Sequence, residues 1–185
     1  MQKIILRYGL LGGLIVSAVM VGSMSYCSYT GKMEGSMVLG YASMILAFSL
    51  IFVALKTLRD KLYGGTISFG KAFKAAMLVT LVTSTIYVAV WLIVYYFFIP
   101  DFMDRYAASA ISKAKAEGLS AAEIAKTTAQ MEEYKAMYKN PLFVILLTYM
   151  EILPVGLIVS LVAALIIKRK EKKVQQDQLY PTTTL

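Results

Sequence analysis

Histidine is missing from this 185-residue chain, cysteine occurs once, proline four times, and charged residues make up only 16%. Each shortage removes a class of chemistry. Without histidine there is no imidazole to ligate a metal or to act as a general base near neutral pH. The single cysteine, Cys27, closes no intramolecular disulfide and builds no thiolate cage. Zinc centres, His-ligated haem, and Ser-His-Asp or Cys-His catalysis are therefore excluded. The reading is of a protein with no catalytic residue, no metal and no cofactor, hence not an enzyme. The shortage of charge has a different consequence. Hydrophobic residues reach 58%, against about 45–50% apolar and about 25% charged in an ordinary soluble domain. A water-soluble fold is out of reach of this composition.

What is present instead is a set of four apolar blocks, at residues 8–27, 37–55, 75–99 and 142–167, in a chain of mean hydropathy +0.65. At 1.5 Å rise per residue each is long enough to cross a hydrocarbon core of roughly 30 Å. The first block follows Lys3 and Arg7 and so resembles a secretory signal, with Ser23 and Ser25 as small residues near a cleavage site. It is long for such a signal, and Tyr26 before Cys27 spoils a lipoprotein-type cleavage box, so it reads as a retained span. The fold class expected is all-α: an integral membrane four-helix bundle over residues 1–173, with a helical hairpin at 100–140 between the third and fourth spans, and a disordered tail at 174–185.

Orientation follows from the basic residues. Lys3 and Arg7, five Lys/Arg between positions 56 and 74, and five in the cluster Lys168–Lys173 lie on one side, twelve against three acids. The other side carries seven basic residues balanced by seven acids. The positive-inside rule makes the first side cytoplasmic, with both termini on it. The net charge of +8 is thus explained by topology and lipid headgroups, and nucleic acid is excluded as a partner. Trp91, Tyr95, Tyr96, Phe97 and Phe98 at the outer end of the third span, with Tyr26 and Tyr29 at that of the first, read as an interfacial belt.

Outside the spans, Asp101 and Asp104 favour a helix start and Gly118 a helix stop, while Ser120-Ala-Ala-Glu123 fits a capping box. Ile124, Thr128, Met131, Tyr134 and Tyr138 then fall along one stripe. On the inner loop, Gly65–Lys71 matches the GxxxxGK part of a phosphate-binding loop, but Ala72 stands at the Ser/Thr position that binds magnesium and no apolar strand precedes it. The structural reading prevails: a Gly64-Gly65 turn, Ser68 capping the third helix, and Lys71 and Lys74 reaching for headgroups.

Four segments together carry a resemblance. They are Lys3-Ile-Ile-Leu-Arg7-Tyr-Gly9-Leu-Leu-Gly12, Gly64-Gly65-Thr-Ile-Ser-Phe-Gly70-Lys71-Ala-Phe73, Tyr138-Lys-Asn-Pro141-Leu-Phe143 and Glu151-Ile-Leu-Pro154-Val-Gly156. The chain resembles an uncharacterised family of bacterial four-span membrane proteins known as domain of unknown function 4199. The resemblance extends over nearly the whole chain and implies a bacterial inner-membrane protein. It implies no activity, substrate, cofactor or partner, and assigns no functional residue.

Glu151 is the sharpest single feature, read first as a structural glutamate, protonated and hydrogen-bonded inside the bundle, with a proton- or cation-handling site and a partner-helix contact as the alternatives. It falls nine residues, about 13 Å, into the fourth span, where a charge costs about 2.5–3.5 kcal/mol even on insertion scales. Pro154 removes a backbone donor close by and favours a kink. Small residues form stripes suited to close helix packing: Gly9, Gly13 and Ser17 on the first span, Ser36 and Gly40 on the second, and Gly156, Ser160 and Ala164 on the fourth. Thr80, Thr83, Ser84, Thr85 and Tyr87 on the third are the groups expected to hydrogen-bond Glu151, neutral or charged. Two functions compete on these residues. One is a non-enzymatic membrane module that assembles with itself or with a membrane-protein partner through the small-residue stripes and the hairpin. The other is a small proton- or cation-coupled transporter or channel subunit using Glu151. A dry bundle favours the first, and a polar cavity reaching Glu151 the second.

Overall fold

A chain crossing lipid has to satisfy its backbone hydrogen bonds internally, and a helix does so residue by residue. In a computed structural model, which describes residues 1–30 and 37–169, six helices form among the described residues. They are α1 (Gln2–Thr30), α2 (Met37–Leu62), α3 (Phe69–Ile93), α4 (Phe102–Ala116), α5 (Ala121–Tyr138) and α6 (Pro141–Ile167). Of these, α1, α2, α3 and α6 are long and apolar enough to span a membrane. The chain is an all-α, multi-pass membrane protein, with α4 and α5 forming a hairpin between its third and fourth long helices. The expected tail at 174–185 lies outside the described residues, as does Ser36.

The helices overrun the apolar blocks. α1 begins at Gln2, α2 continues to Leu62 and α3 begins at Phe69, because Leu, Lys and Arg are good helix formers and their stems keep contact with apolar surface beyond it. At its far end α3 changes pitch. Val94–Phe98 form a π-helical turn, and the Ile99 amide donates to the Val94 carbonyl at 2.9 Å. This widening was invisible in the apolar pattern.

The order of contacts gives the packing. Gly9 meets Val82 and Gly13 meets Ile86, so α1 and α3 run parallel. The connections at either end make α2 and α6 antiparallel to both. The bundle therefore has a hairpin end, where α4 and α5 lie, and a clasp end. At the clasp end Gly64 and Gly65 adopt positive φ of 59° and 86°, turning the chain so that Ile67 and Arg169 exchange backbone hydrogen bonds of 3.1 and 2.9 Å. Ser68 holds the cap position of α3, but its side chain makes no capping bond, so the expected cap is one of position only. Lys71 sits over the ring of Tyr63, 5.3 Å from its centroid.

The core fills the clasp half. Phe48, Ile51, Leu55 and Leu58 on α2 are fully buried. Small residues meet them on the neighbouring helices, with Ala72, Ala76 and Val79 on α3 and Ala163 and Ala164 on α6 also buried. Large against small interdigitates at high density. Gly156 is the tightest point: a Cβ there would strike Thr80 and come within 2.8 Å of the Phe48 ring.

The hairpin is held by its ends. Gly118, at φ 72°, closes α4 with the Leu119 amide donating to Ala114 and the Gly118 amide to Lys115, at 3.2 and 3.1 Å. Ser120 then opens α5 as a complete capping box: the Glu123 amide donates to Ser120 Oγ at 3.3 Å, and the Ser120 amide to Glu123 Oε2 at 2.9 Å. Lys135 pairs with Asp104 across the two helices, above the buried Met131.

Candidate functional site at Glu151

The site is built by what α3 and α6 do with their polar groups. On the third helix the hydroxyls were expected near Glu151, and the structure places them elsewhere. Thr80 Oγ1 shares a 2.8 Å bond with Ser160 Oγ and also donates to the Gly156 carbonyl at 3.4 Å. Thr83 donates to the Gly9 carbonyl at 3.1 Å. Thr85 bonds the Leu81 carbonyl and the Tyr149 hydroxyl, both at 2.8 Å. Ser84 is buried with no hydrogen-bond partner among the described residues, and so is Ser17 on α1. Each threonine reaches a nearer acceptor first, since hydrogen bonds fall off within a few tenths of an ångström. Only Tyr87 remains beside Glu151.

Among the described residues Glu151 makes no hydrogen bond or ion pair, and it faces open space on the hairpin half of the bundle. Glu151 lines two cavities, of about 190 and 450 Å³. The smaller lies toward α1 and α2, where Val16, Gly40 and Met44 form part of its wall. The larger runs beneath the hairpin, lined by Tyr87 and Trp91 of α3, Phe102 of α4 and Tyr138 of α5. Met20, Met24, Tyr87 and Glu151 border both, so the cavities form one cleft. Glu151 is its only ionisable group apart from the tyrosine phenols among the described residues. Burial raises the Tyr138 hydroxyl to about 12, so that phenol stays neutral and supplies no charge.

An aromatic cluster forms the roof. Trp91 meets Phe102 edge to face at 5.1 Å, Tyr95 meets Tyr138 at 5.7 Å, and the Tyr95 hydroxyl reaches the Tyr138 carbonyl at 3.5 Å. These contacts tie the end of α3 to the first residue of α4 and the last of α5. The belt expected at this end is thus in part a clamp: Trp91 and Tyr95 are buried, while Phe97 and Phe98 stay exposed.

The small-residue stripes take other places. Gly9 and Gly13 lie against Val82 and Ile86 of α3, and Gly156, Ser160 and Ala164 face the core. Ser17 is buried. Among the described residues a Cβ at Gly40 would meet nothing within 4 Å, so Gly40 makes no close helix approach there, and its expected packing role is corrected to cleft wall. Gly12, absent from the expected stripe, is in tight contact: a Cβ there would lie 2.9 Å from Thr83 Oγ1 and 3.3 Å from the Ala47 carbonyl. Its signal was the Gly12-Gly13 pair, which offers a close approach to two helices at once. Pro154 lies inside α6 on an exposed face, three residues from Glu151.

For metal binding, no group of three Cys, Asp or Glu side chains converges among the described residues. What the arrangement offers is one carboxylate, several aromatic rings, a few neutral hydroxyls and flexible methionines around a cleft. No curated protein and no solved structure matches this chain. Residues 7–169, which include the clasp, the hairpin and Glu151, match the family described as protein of unknown function (DUF4199), and the chain belongs to that family.

Proposed function

We propose that this chain is a non-enzymatic module of a bacterial inner membrane that engages a second molecule, another copy or a partner of different chemistry, through the cleft at Glu151. Its termini are cytoplasmic, its hairpin is on the outer side, and it uses no cofactor and binds no nucleic acid. The observation that carries the reading is that Glu151, a costly group at membrane depth, has no partner among the described residues and borders a cleft. A partner from outside the chain meets that cost. Gly9, Gly13, Ser17, Gly156, Ser160 and Ala164, first read as part of an assembly surface, are engaged within the bundle, which leaves the cleft and the hairpin for contact with others. The transport reading needs a path from Glu151 to the clasp end, and Phe48, Ile51, Leu55 and Leu58 fill that half without exposure.

Photocrosslinkers placed at Met150, beside Glu151 and 72% exposed, and at Leu161, exposed on the clasp half, test engagement in native membranes. A discrete adduct from Met150 and none from Leu161 is the expected result. Equal labelling at both positions overturns the reading, as does proton flux in reconstituted vesicles that Glu151→Gln eliminates. Orientation is tested by a cysteine at the exposed Ala108 in a Cys27→Ser background. An impermeant maleimide should label it on intact cells, and labelling only after the inner membrane is opened reverses the topology.

A further inference from the structure

Resting on that reading, the chemistry of the cleft narrows what occupies it. We propose that it binds a lipophilic organic cation, whose charge lies against the Glu151 carboxylate and the rings of Tyr87, Trp91 and Tyr138, and whose apolar body lies among Met20 and Met24. Four features lead there.

The charge is unbalanced among the described residues: Glu151 is the cleft's one acid there, and no described Lys or Arg borders either cavity. The surroundings are those that attract organic cations. Aromatic rings draw a cation through their electron-rich faces, most strongly where water is excluded, and aromatic cages are the recurrent solution for quaternary ammonium groups. A metal ion is a poor fit, because hard cations favour several charged or carbonyl oxygens and the cleft supplies a single carboxylate beside neutral Ser, Thr and Tyr hydroxyls and thioethers. Methionines, by contrast, adapt to varied apolar shapes.

Size and depth remove two further occupants. The larger cavity, about 450 Å³, falls in the range of small-molecule sites, whereas a helix of about 10–12 Å diameter does not enter it. Glu151 is ten residues from the start of α6, or about 15 Å along the axis. A lipid ammonium at the bilayer surface stays well above it, while a freely partitioning amphiphile reaches that depth.

Trp91 makes the test direct, because it is the chain's only tryptophan and it lines the cleft. Full-length protein in phosphatidylglycerol nanodiscs is titrated with tetraphenylphosphonium, and in parallel with tetraphenylborate, which matches it in size and shape and carries the opposite charge. Saturable change in Trp91 fluorescence with the phosphonium, none with the borate, and affinity lowered on the order of tenfold or more in Glu151→Gln is the expected result. Tyr138→Leu, at the rim, should also weaken binding while leaving the helical content unchanged. Equal affinity in wild type and Glu151→Gln overturns the proposal, as does an equal response to the borate or no saturable response. Repeating the titration with phosphatidylethanolamine in the discs tests the lipid alternative. Unchanged phosphonium affinity supports a free cation, and displacement by that lipid reassigns the cleft to a headgroup. Failure of the titration with the Met150 adduct intact removes the cation alone. Loss of both removes the engagement on which it rests.

Discussion

The two halves of the bundle are made from the same four helices and solve opposite problems. At the clasp end, large side chains on α2 meet alanine and glycine on α3 and α6, and Thr80 and Thr83 of α3 donate to the Gly156 and Gly9 carbonyls on neighbouring helices. At the hairpin end, methionines and aromatic rings border a cleft, and a carboxylate is left without an internal partner among the described residues. In lipid, where tails are as apolar as leucine, close packing and buried hydrogen bonds supply helix association. Concentrating both in one half gives that half the stability and leaves the cleft to the other.

The strongest way to break this contrast is to overfill the closed half. Gly156→Leu drives a branched side chain into Thr80 and the Phe48 ring and should cost about 3 kcal/mol, at the upper end of overpacking penalties. Gly40→Ala, whose Cβ meets open space, should cost little. Reversible unfolding in mixed micelles measures both, and equal losses would end the distinction. Next comes the buried hydroxyl pair. Thr80→Val removes the 2.8 Å bond to Ser160 and should cost about 1 kcal/mol, with a double-mutant cycle against Ser160→Ala giving a coupling of similar size. Ser84→Ala should not destabilise, since the hydroxyl it deletes is buried without a partner.

The hairpin is held more lightly. Ser120→Ala should cost about 1 kcal/mol of local helix stability, read as faster amide exchange over Ala121–Ile124, and unchanged exchange would remove the cap. Its pH dependence has a definite sign. The Ser120 side chain and then its backbone amide hold the Glu123 carboxyl below its ordinary value. The cap's contribution is therefore full above the ordinary carboxylate range, near about 4.3, and is lost as pH falls through the lower folded value. Protection at Ala121–Ile124 should weaken in that acidic window in wild type and stay flat in Ser120→Ala.

The smallest effect expected on stability is at the residue on which the proposed function turns. Glu151→Ala deletes no hydrogen bond found among the described residues, so stability should stay within about 0.5 kcal/mol of wild type or rise. A loss of several kcal/mol would mean that Glu151 holds the bundle together, and the contrast between the halves would fail.

The sequence announced the features that depend on runs and local order. Four apolar blocks gave the long helices, and the fixed spacings of Gly118, Ser120 and Glu123 gave the hairpin's stop and start. Features that depend on which acceptor lies nearest were not legible. Thr80, Thr83 and Thr85 share a helix with Tyr87, and only the register of α3 against α1 and α6 decides that they turn to Ser160, Gly9 and Tyr149. The same register separates Gly12, wedged between two helices, from Gly40, which touches neither. The π-helical turn at Val94–Phe98 left no trace in the apolar pattern, because it changes helix pitch and not polarity.

The pairing of Ile67 with Arg169 has a consequence for how the molecule is made. Its two partners are separated by about a hundred residues of chain and join the loop after α2 to the residue just beyond α6. During synthesis from the N-terminus, α1, α2 and α3 enter the bilayer while Ile67 still has no mate. The pairing closes only when the last long helix has crossed in the correct direction, so it acts as a latch on completed insertion. A chain whose fourth helix stalls or inverts leaves the Ile67 amide and carbonyl without these bonds, and exchange at that one amide distinguishes finished molecules from half-inserted ones.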